Sequence, residues 1–150
     1  MASNACDCGS KLTYSKCCRP LHRGEVIADT PVRQVRARYC AFARKEVDFL
    51  WRTLHPLNEE RKGDENEVRR MLRDACQTLK FSHLHLIGDR DGSVLFLSEM
   101  YEKGKDRSFL ERSEFEQDAG EWKYVRGRSR PCKAEQVPSL SWERDAEGPW

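Results

Sequence analysis

The chain has 150 residues, of which 35% are charged and 38% are hydrophobic, and its formal net charge is +2. This length suits one ordinary domain with a small appendage, and the near-balanced charge excludes a strong global field for nucleic acid or membrane surfaces. No apolar run approaches the length of a membrane-spanning helix. No charged-then-apolar secretion signal is recognisable at the amino terminus, and the seven cysteines, an odd number, fit a reducing compartment. We therefore expect a cytoplasmic protein.

The first cysteines along the chain form the most specific pattern in the sequence. Cys6 and Cys8 are separated by one residue, and after eight further residues come the adjacent Cys17 and Cys18. Four thiolates on a short loop are what a tetrahedral Zn²⁺ ion requires, and a site with four protein ligands is closed and structural. Gly9 permits the sharp turn that such a loop needs. We predict one structural zinc ion bound by Cys6, Cys8, Cys17 and Cys18.

Disulfide bonding is the alternative for these cysteines, as in small secreted proteins. It is disfavoured because no secretory signal precedes them and because the adjacent Cys17 and Cys18 are poorly placed to pair with each other. Four thiolates on Zn²⁺ leave two negative charges, which nearby basic residues would partly neutralise. The loop also offers a candidate partner-binding surface, made of Lys11, Tyr14, Lys16 and Arg19.

A connector over residues 20–29 leads to a helix with Thr30 as its N-cap and Pro31 at the first helical position. The apolar face of this helix recurs at steps of three and four residues and consists of Val32, Val35, Tyr39 and Phe42. The opposite face is basic and carries Arg33, Arg44 and Lys45, with Arg36 and Arg38 toward its edges. Such a face is more often solvated than bound to phosphate or RNA, and both interpretations stay open at this stage.

Two further helices are predicted before the sheet. Asp48 caps a short helix that Pro56 ends, and Asp64 with Glu67 resembles a capping box for the next one. The apolar residues of this last helix recur at helical spacing, namely Val68, Met71, Leu72, Ala75, Cys76 and Leu79. Cys76 is therefore interpreted as a small core residue and not as a nucleophile.

The second half of the chain alternates like β-strands. Four strands are predicted over residues 81–87, 93–101, 108–117 and 121–126, with turns at 89–92, 104–106 and 118–120. Residues 93–101 are apolar on both faces, which indicates a central strand. His83 and His85 project from one face of the first strand, and without a third ligand we interpret them as a solvent- or cavity-facing pair. Helices followed by an antiparallel meander indicate an α+β fold.

Four segments of the chain carry a family resemblance, at residues 6–18, 36–42, 48–56 and 111–127. The first is similar to the SEC-C zinc knuckle, C-x-C-x8-C-[CH], which was first recognised in the bacterial translocase motor SecA. The others resemble the R-S-R-Y-x-A-[FY], D-Y-L…T-W-H-P and E-R-S-x-F…G-x-W-Y-Y-x-D-G segments of the YchJ-like family of uncharacterised SEC-C proteins. The chain departs from these patterns at Asp7, Leu54 and Arg126, where proline, tryptophan and aspartate are usual. Cys132 alone cannot form the second knuckle that many members carry.

The resemblance implies a nuclear-transport-factor-2-like (NTF2-like) or cystatin-like domain, in which a curved antiparallel sheet wraps around helices and leaves a conical cavity. On this basis the chain divides into a SEC-C motif with its connector (1–28), an NTF2-like domain (29–128) and an irregular tail (129–150). In the tail, we expect Trp142 and Trp150 to dock onto the domain. The expected cavity residues are His55, Tyr101, Glu111 and Trp122.

Three functions stay open. The leading interpretation is a non-enzymatic adaptor whose knuckle binds a macromolecule, by resemblance a chaperone or the ribosome, since no catalytic triad order, phosphate loop or carboxylate pair stands out. The second is an enzyme or small-molecule binder that uses the cavity, with Glu111 available for acid–base work. The third is RNA or ribosome binding through the basic helix face and through Arg126, Arg128 and Arg130. The resemblance implies no reaction, because no activity is established for the family.

Overall fold

The computed structural model describes residues 4–150, so residues 1–3 of the predicted knuckle segment lie outside the described part. Its helices are α1 (Arg19–His22), α2 (Pro31–Arg44), α3 (Val47–Arg52), α4 (Glu65–Thr78) and α5 (Trp142–Asp145). Its strands are β1 (Lys80–Arg90), β2 (Ser93–Glu102), β3 (Lys105–Asp106), β4 (Phe109–Asp118) and β5 (Glu121–Pro131). Short 3₁₀ segments lie at Tyr14–Lys16, Glu60–Lys62 and Ala134–Ser139.

Helix α2 begins where the sequence predicts. The Oγ1 atom of Thr30 accepts a hydrogen bond from the backbone N–H of Arg33 at 3.1 Å, and Pro31 occupies the first turn. The cap satisfies an N–H group that has no partner inside the helix. After the last helical residue, Lys45 takes a left-handed conformation with φ 62° and turns the chain toward α3. Both predicted N-terminal signals are thus confirmed.

The start of α3 corrects one prediction. Its N-cap is Glu46, so Asp48 lies in the first turn and is not the cap. The carboxylate of Asp48 instead contacts Arg69 on α4. A carboxylate in the first turn still complements the helix dipole, so the same residue type suits either position. The helix ends at Arg52, before Pro56.

Helix α4 confirms the predicted cap. The Oδ1 atom of Asp64 accepts a hydrogen bond from the N–H of Glu67 at 3.1 Å. The buried stripe of this helix consists of Val68, Leu72 and Cys76, so Cys76 is a core residue as predicted. Met71, which the periodicity assigned to the same face, is 58% exposed. For a residue at the edge of an apolar stripe, helical spacing alone does not determine whether the side chain is buried.

The sheet is an antiparallel meander with strand order β1-β2-β4-β5, and β3 pairs with β2 outside this path. The central position of β2 confirms the prediction from its two apolar faces. The pair Lys105–Asp106 forms β3 where only a turn was predicted. Register shifts interrupt β1 twice and the β4–β5 pair once. Such bulges bend strands and increase their twist, so they curve the sheet.

Helices and tail cover opposite faces of this sheet. Along β2, Phe96, Ser98 and Met100 face the helices. Leu95 and Leu97 face the other way, into a cluster with residues of the tail. This alternation follows from the two-residue period of a strand. The helical face therefore holds the cavity, and the tail covers the outer face around Leu95 and Leu97.

The carboxyl-terminal tail is more regular than predicted. Strand β5 continues to Pro131, past the predicted domain boundary at 128, and a 3₁₀ segment and α5 follow. Trp142 and Trp150 pack on the outer apolar cluster, as expected. Cys132 is buried in that cluster, far along the chain from the other cysteines. An ion pair of 3.0 Å between Arg130 and the buried Asp145 joins β5 to α5.

Within residues 4–150, no helix combines the length and the hydropathy that crossing a membrane would require.

Candidate metal centre and cavity

The four predicted ligands meet at one point. The Sγ atoms of Cys6, Cys8, Cys17 and Cys18 all lie within 4.8 Å of one another, and each residue is at most 4% exposed. The sulfurs of Cys8 and Cys17 are 3.6 Å apart, and those of Cys17 and Cys18 are 4.0 Å apart. Sulfurs at the corners of a tetrahedron with metal–sulfur bonds of about 2.3 Å would be about 3.8 Å apart. The donor set and its spacing therefore fit one metal ion with four thiolate ligands.

The backbone of the loop brings these cysteines together. An antiparallel bridge joins Ala5 to Thr13, and the N–H of Cys6 donates to the Leu12 carbonyl at 2.8 Å. At the tip, Gly9 has φ 81° and its N–H donates to the Cys6 carbonyl at 3.2 Å. Residues that carry a side chain rarely adopt this backbone conformation, which is why glycine suits the position. The result is a small closed knuckle with its sulfurs inside.

Crowding of the thiols shifts the pKa values of Cys6 and Cys18 in opposite directions. Hydrogen bonds with Cys18 and Cys40 lower the pKa of Cys6. The pKa of Cys18 is raised by its contacts with Cys40, Cys6 and Cys8 and by burial. One thiolate in such a cluster opposes ionisation of its neighbours, because like charges in a buried site repel. A divalent cation at the centre removes that opposition, so the cluster has the properties of a metal-binding group.

Arginines of α2 surround the cysteine cluster. Arg33 donates from Nη1 toward the sulfurs of Cys17 and Cys18 at 3.9 and 3.7 Å, and also contacts the Cys17 carbonyl. Arg36 donates to the Cys8 carbonyl at 2.8 Å and lies 3.9 Å from the Cys8 sulfur. Helix residues from outside the loop therefore add positive charge to that which the sequence places beside the cysteines at Lys11, Lys16 and Arg19.

A fifth cysteine lies beside the tetrad. The sulfur of Cys40, on α2, is 3.6 Å from that of Cys6, and Cys40 is fully buried. Its thiol also points toward the Asp7 carboxylate at 3.8 Å. The grouping with mutual metal-ligand spacing comprises Cys6, Cys8, Cys17 and Cys18 and does not include Cys40. All cysteines within residues 4–150 are free thiols, so the structure gives the disulfide alternative no support.

A second set of contacts fixes the knuckle to α2. Asp7 accepts a hydrogen bond of 2.7 Å from Arg44, whose guanidinium lies 3.6 Å from the centre of the Tyr14 ring. Burial raises the pKa of Tyr14 to about 12, and its hydroxyl lies 2.7 Å from Nδ1 of His22. Nε2 of His22 lies 2.8 Å from the Ala37 carbonyl. A carbonyl only accepts, so Nε2 carries the proton and Nδ1 accepts from the tyrosine.

This packing changes the candidate partner surface. Tyr14 is half-buried between Arg44 and His22, so its ring faces the protein's own helix. Lys11, Lys16 and Arg19 are exposed. The basic helix face predicted for solvent or RNA is likewise occupied in part, because three of its arginines contact the knuckle, namely Arg33, Arg36 and Arg44. The knuckle and α2 form one packed unit.

The other side of α2 borders a cavity of about 330 Å³. Its wall is mostly apolar and includes Phe42, Leu54, Leu72, Phe81, Phe96 and Phe109. Binding pockets for small molecules typically occupy about 300–1,000 Å³ and combine apolar walls with a few polar groups. The cavity is therefore of a size and composition that suit a small ligand.

A polar cluster lies in one part of the cavity wall. Tyr124 donates to Oε2 of Glu111 at 3.3 Å, and the Ser113 hydroxyl contacts the same oxygen. Desolvation by the surrounding side chains raises the pKa of Glu111. Arg38 donates to Thr53 Oγ1 at 2.7 Å and lies over the Tyr124 ring. These side chains hold one another in place within the apolar wall.

Two hydroxyl groups in the cavity wall lack hydrogen-bond partners. Tyr39 is 6% exposed and Ser98 is 2% exposed. Neither Tyr39 Oη nor Ser98 Oγ has a partner among residues 4–150, although both residues line the cavity. Buried polar groups are nearly always paired, so these two hydroxyls are exceptions among the described residues.

The structure places only one of the expected cavity residues in the wall. Glu111 lines the cavity, whereas His55, Tyr101 and Trp122 do not. Tyr101 is on β2 and points to the outer face, where its hydroxyl donates to Glu99 at 3.2 Å. Along the strand, the residues next to Ser98 and Met100 must face away from the cavity. The assignment of Tyr101 failed because sequence alternation gives two faces without saying which is inside.

His55 and Trp122 are engaged elsewhere. The His55 N–H donates to the Tyr124 carbonyl at 2.9 Å, and the imidazole Nδ1 accepts from the Leu57 N–H at 3.0 Å. The Trp122 indole donates to the Asp29 carbonyl at 3.1 Å. Both therefore stabilise chain connections around β5. This corrects their assignment to the cavity.

The histidine pair on β1 has a shared partner. His83 Nδ1 and His85 Nε2 lie 3.3 and 3.2 Å from the same carboxylate oxygen of Glu99. His83 is largely exposed. In the part of the chain that the structure describes, the cysteine tetrad is nevertheless the group whose ligand atoms have metal-compatible spacing. The histidines remain an outer-face pair.

Sequence reasoning missed several side chains of the cavity, among them Tyr39, Ser98 and Arg38. Tyr39 was predicted only as part of an apolar face, Ser98 only as part of a buried strand, and Arg38 only at the edge of a basic face. A signal was present in Ser98, since a hydroxyl within an otherwise apolar run must find a partner when buried. For Arg38, helical position relative to Val35 and Tyr39 already indicated the inner face.

Most of the chain matches a known family model and a curated relative. The family model described as YchJ, middle NTF2-like domain, matches residues 30–127. The chain is 34% identical over 137 residues to the UPF0225 protein YchJ of Shigella dysenteriae, covering 87% of this chain and 90% of that protein. The chain belongs to the YchJ family. Its domain is thus NTF2-like, as the resemblance implied.

Solved structures agree with the YchJ-family assignment. The solution structure of a SEC-C motif containing protein from Rhodopseudomonas palustris matches with a TM-score of 0.71 and 30% identity, covering 82% of this chain and 96% of that one. The crystal structure of a SEC-C motif containing protein from Psychrobacter arcticus matches with a TM-score of 0.65 over 98% of this chain and 96% of that one. Its identity is 14%, so this second likeness shows the fold alone.

The YchJ-like sequence segments coincide with the two sites. Residues 36–42 lie on α2 and contact both the knuckle and the cavity. Among the departures from the family pattern, Leu54 lines the cavity and Asp7 binds Arg44. Arg126 lies outside the cavity lining and pairs with Glu114 at 2.8 Å. The departure at Leu54 is therefore the one that alters the cavity wall.

Proposed function

We propose that the cysteine tetrad binds one structural Zn²⁺ ion. Support comes from the donor set, because four buried sulfurs with tetrahedral spacing suit zinc and leave no open coordination position for a substrate. The ion would then fix the knuckle without taking part in chemistry. Cys6, Cys8, Cys17 and Cys18 would be its ligands, with Arg33 and Arg36 balancing the excess negative charge of the thiolates.

We further propose that this zinc-stabilised protein is a small-molecule-binding protein that uses the NTF2-like cavity. One observation carries the proposal: a mostly apolar cavity of about 330 Å³ has a polar cluster of Arg38, Glu111 and Tyr124 in its wall. A core filled by the chain's own side chains would leave no such volume. We place the protein in the cytoplasm, because its free thiols suit a reducing compartment.

Helix α2 connects the two parts of the proposal. One side of the helix presents Arg33, Arg36 and Cys40 to the knuckle. The other presents Arg38 and Tyr39 to the cavity. The zinc site would thus hold in place the helix that forms one wall of the binding site.

The binding proposal is tested by native mass spectrometry of the protein purified from cells. A co-purifying small molecule should be retained by the wild type and lost from Ala75→Phe, which fills space at the cavity wall. Met71→Phe on the same helix is the matched control, because Met71 is exposed. Equal retention by both variants would place the ligand elsewhere and contradict the proposal.

An adaptor function is a second candidate, favoured by one observation. Leu12 at the outer edge of the knuckle is 54% exposed beside the exposed Lys11. Single exposed apolar side chains are common on protein surfaces, so this candidate rests on Leu12 together with the exposed Lys11, Lys16 and Arg19 of the same loop; its partner would be a chaperone or a ribosome-associated protein. Crosslinking in cells should lose a specific partner in Leu12→Ser and keep it in Met71→Ser. If no captured partner depends on Leu12, the adaptor function is ruled out.

Nucleic-acid binding receives less support. The arginines proposed for it are largely engaged: Arg126 pairs with Glu114 at 2.8 Å and Arg130 with Asp145 at 3.0 Å, while Arg33 and Arg36 contact the knuckle. Neutralising phosphates with free cations would give a steep salt dependence of binding. RNA affinity that falls steeply with salt would revive this candidate.

A further inference from the structure

Arg38 brings a positive charge to the wall of the cavity. The residue is half-buried, and its Cζ atom lies 5.0 Å from the centre of the Tyr124 ring, which lines the same cavity. Nη1 donates to the Leu50 carbonyl at 2.9 Å and to Thr53 Oγ1 at 2.7 Å. Within residues 4–150, Nε and Nη2 have no hydrogen-bond partner, and neither is among the unpaired atoms that are fully buried. One edge of the guanidinium fork is therefore free.

The charge of Arg38 has no contact partner of opposite sign. In the described part of the chain, no carboxylate forms an ion pair with its guanidinium, and Glu111 and Glu60 act on it only through space. Oε2 of Glu111 instead accepts from Tyr124 at 3.3 Å and contacts the Ser113 hydroxyl. Desolvation lowers the pKa of Arg38, because enclosing a cation without a contact partner is costly. An anion from outside the chain would offset that cost.

Glu111 does not exclude such an anion. Desolvation raises the pKa of its carboxyl, and a second carboxylate nearby would raise the pKa further, because like charges oppose each other's ionisation. Glu111 therefore takes up a proton more readily than an exposed glutamate does. A protonated carboxyl carries no charge and has an O–H group that can donate to an anion.

We propose that the cavity binds small organic carboxylates with an aromatic or other apolar body, and that Nε and Nη2 of Arg38 donate to the carboxylate oxygens. The inference rests on the proposed small-molecule function and specifies the chemical class of the ligand. A planar carboxylate matches the parallel donors of a guanidinium edge. The body would pack against the wall, where the rings of Phe42 and Phe81 stack at 5.6 Å and those of Phe96 and Phe109 meet edge-on at 6.5 Å.

Three probes of similar shape and different charge test this class. The first is naphthoate, which has an aromatic body and a carboxylate. The second is naphthamide, which has the same rings and the same planar shape without the charge. The third is naphthylmethylamine, which has a positive charge in place of the carboxylate. Calorimetric titration of the zinc-loaded protein with each probe gives a dissociation constant for each chemistry.

The inference predicts that naphthoate binds about tenfold or more tightly than naphthamide, because hydrogen bonds between charged groups are roughly twice as strong as neutral ones. In Arg38→Gln this advantage should fall to about threefold or less. Arg38→Lys keeps the charge without the fork and should keep an intermediate advantage. Arg126→Gln is the matched control, because Arg126 pairs with Glu114 outside the cavity lining, and it should keep the full advantage.

The remaining outcomes separate the ligand class from the binding function. Equal affinity of naphthoate and naphthamide, with both lost in Ala75→Phe, would overturn the carboxylate inference and leave the cavity as a binding site. Tighter binding of the amine would also overturn it and would place the ligand's charge at Glu111. The comparison of probes on the wild type decides these cases even if the loss of Arg38 unfolds the chain. Failure of all probes to bind, or binding that Ala75→Phe leaves unchanged, would contradict the proposed function and the inference with it.

Discussion

Two kinds of hydroxyl line the cavity and differ in their surroundings. Tyr124 donates to Glu111 at 3.3 Å, whereas Tyr39 has no partner among the described residues. A buried hydroxyl contributes to stability only through the hydrogen bonds that it makes, and an unpaired one opposes folding by its lost hydration. The same residue type therefore has opposite roles at these two positions.

This contrast predicts the stabilities of two variants. Tyr124→Phe leaves the Glu111 carboxyl with one fewer donor and should lower the free energy of unfolding by about 1–3 kcal/mol. Tyr39→Phe should leave it unchanged or raise it slightly. Urea unfolding of the zinc-loaded, ligand-free variants measures both. An equal loss in Tyr39→Phe would show that this hydroxyl has a partner in the folded chain.

Glu111 should make stability depend on pH. Desolvation raises its folded-state pKa above the usual 4.5, so the folded protein holds this proton more tightly than the unfolded chain. The contribution to stability is then complete below 4.5 and is lost as the pH rises through the folded-state pKa.

Glu111→Gln cannot ionise, so its stability relative to the wild type should increase as the pH rises from about 5 to about 8. Glu116→Gln, at an exposed position on the same strand, controls for the loss of one carboxylate. Urea unfolding at several pH values measures the difference. A difference that stays constant, or that falls with pH, would contradict the raised pKa.

Gly127 lies against the polar cluster of the cavity. A Cβ atom built at this position would be 2.4 Å from the Tyr124 hydroxyl and 2.5 Å from Oε2 of Glu111. We expect Gly127→Ala to displace the pair and to cost about 1–3 kcal/mol of stability. Gly63→Ala, whose nearest atom would be 3.4 Å away, should cost less. Thermal unfolding that gives Gly127→Ala the wild-type midpoint would refute the close approach.

At the scale of elements, α2 organises both sites. Its caps and apolar face were predictable, because Thr30-Pro31 and the three- and four-residue spacing depend on local chemistry. What covers its basic face was not predictable. Helical periodicity assigns residues to faces, but the knuckle that meets Arg33 and Arg36 is brought there by tertiary packing.

Arg36 should therefore support the metal site. It donates to the Cys8 carbonyl at 2.8 Å and lies 3.9 Å from the Cys8 sulfur. Loss of such outer contacts weakens metal binding by about 10–100-fold in other sites, and we expect Arg36→Gln to lower zinc affinity by at least about tenfold. Arg19→Gln, an exposed arginine of the same region, should leave it unchanged. Competition with a chelator measures both, and equal affinities would remove Arg36 from the site.

The sheet shows which features of an element are encoded locally. The four long strands were predictable from alternation and turn residues, and β2 was recognisable as central because both of its faces are apolar. The bulges that curve the sheet had no sequence signal that we recognised. Tyr101 was assigned to the wrong face for the same reason, since alternation does not identify the inner side.

At the scale of the whole molecule, the structure is a stack of knuckle, helix α2, cavity, sheet and tail. The clustering of the four cysteines was predictable in full, because metal-ligand spacing within a short loop is a local property. The cavity was less predictable, because Arg38, Glu111 and Ser98 come from three different elements. Their convergence depends on strand register and helix packing, which a single sequence does not display.

Zinc binding by the knuckle is the step on which the proposed support of α2 and of the cavity wall depends. If the tetrad holds the ion, then the knuckle is fixed and α2 has a rigid support on the side away from the cavity. Without the ion, no metal–sulfur bonds would hold the four buried cysteines together, and α2 would lose this support. The four cysteine ligands are thus the part of the molecule to test first.

Metal analysis of single cysteine variants, purified reduced and free of chelator, tests this claim most directly. The wild type should contain one zinc ion per chain, and Cys6→Ser, Cys8→Ser, Cys17→Ser and Cys18→Ser should each lose it or bind it far more weakly. Cys40→Ser, which removes the neighbouring thiol outside the tetrad, should retain it. A wild type without zinc, or zinc that survives each tetrad substitution and is lost only in Cys40→Ser, would contradict the account.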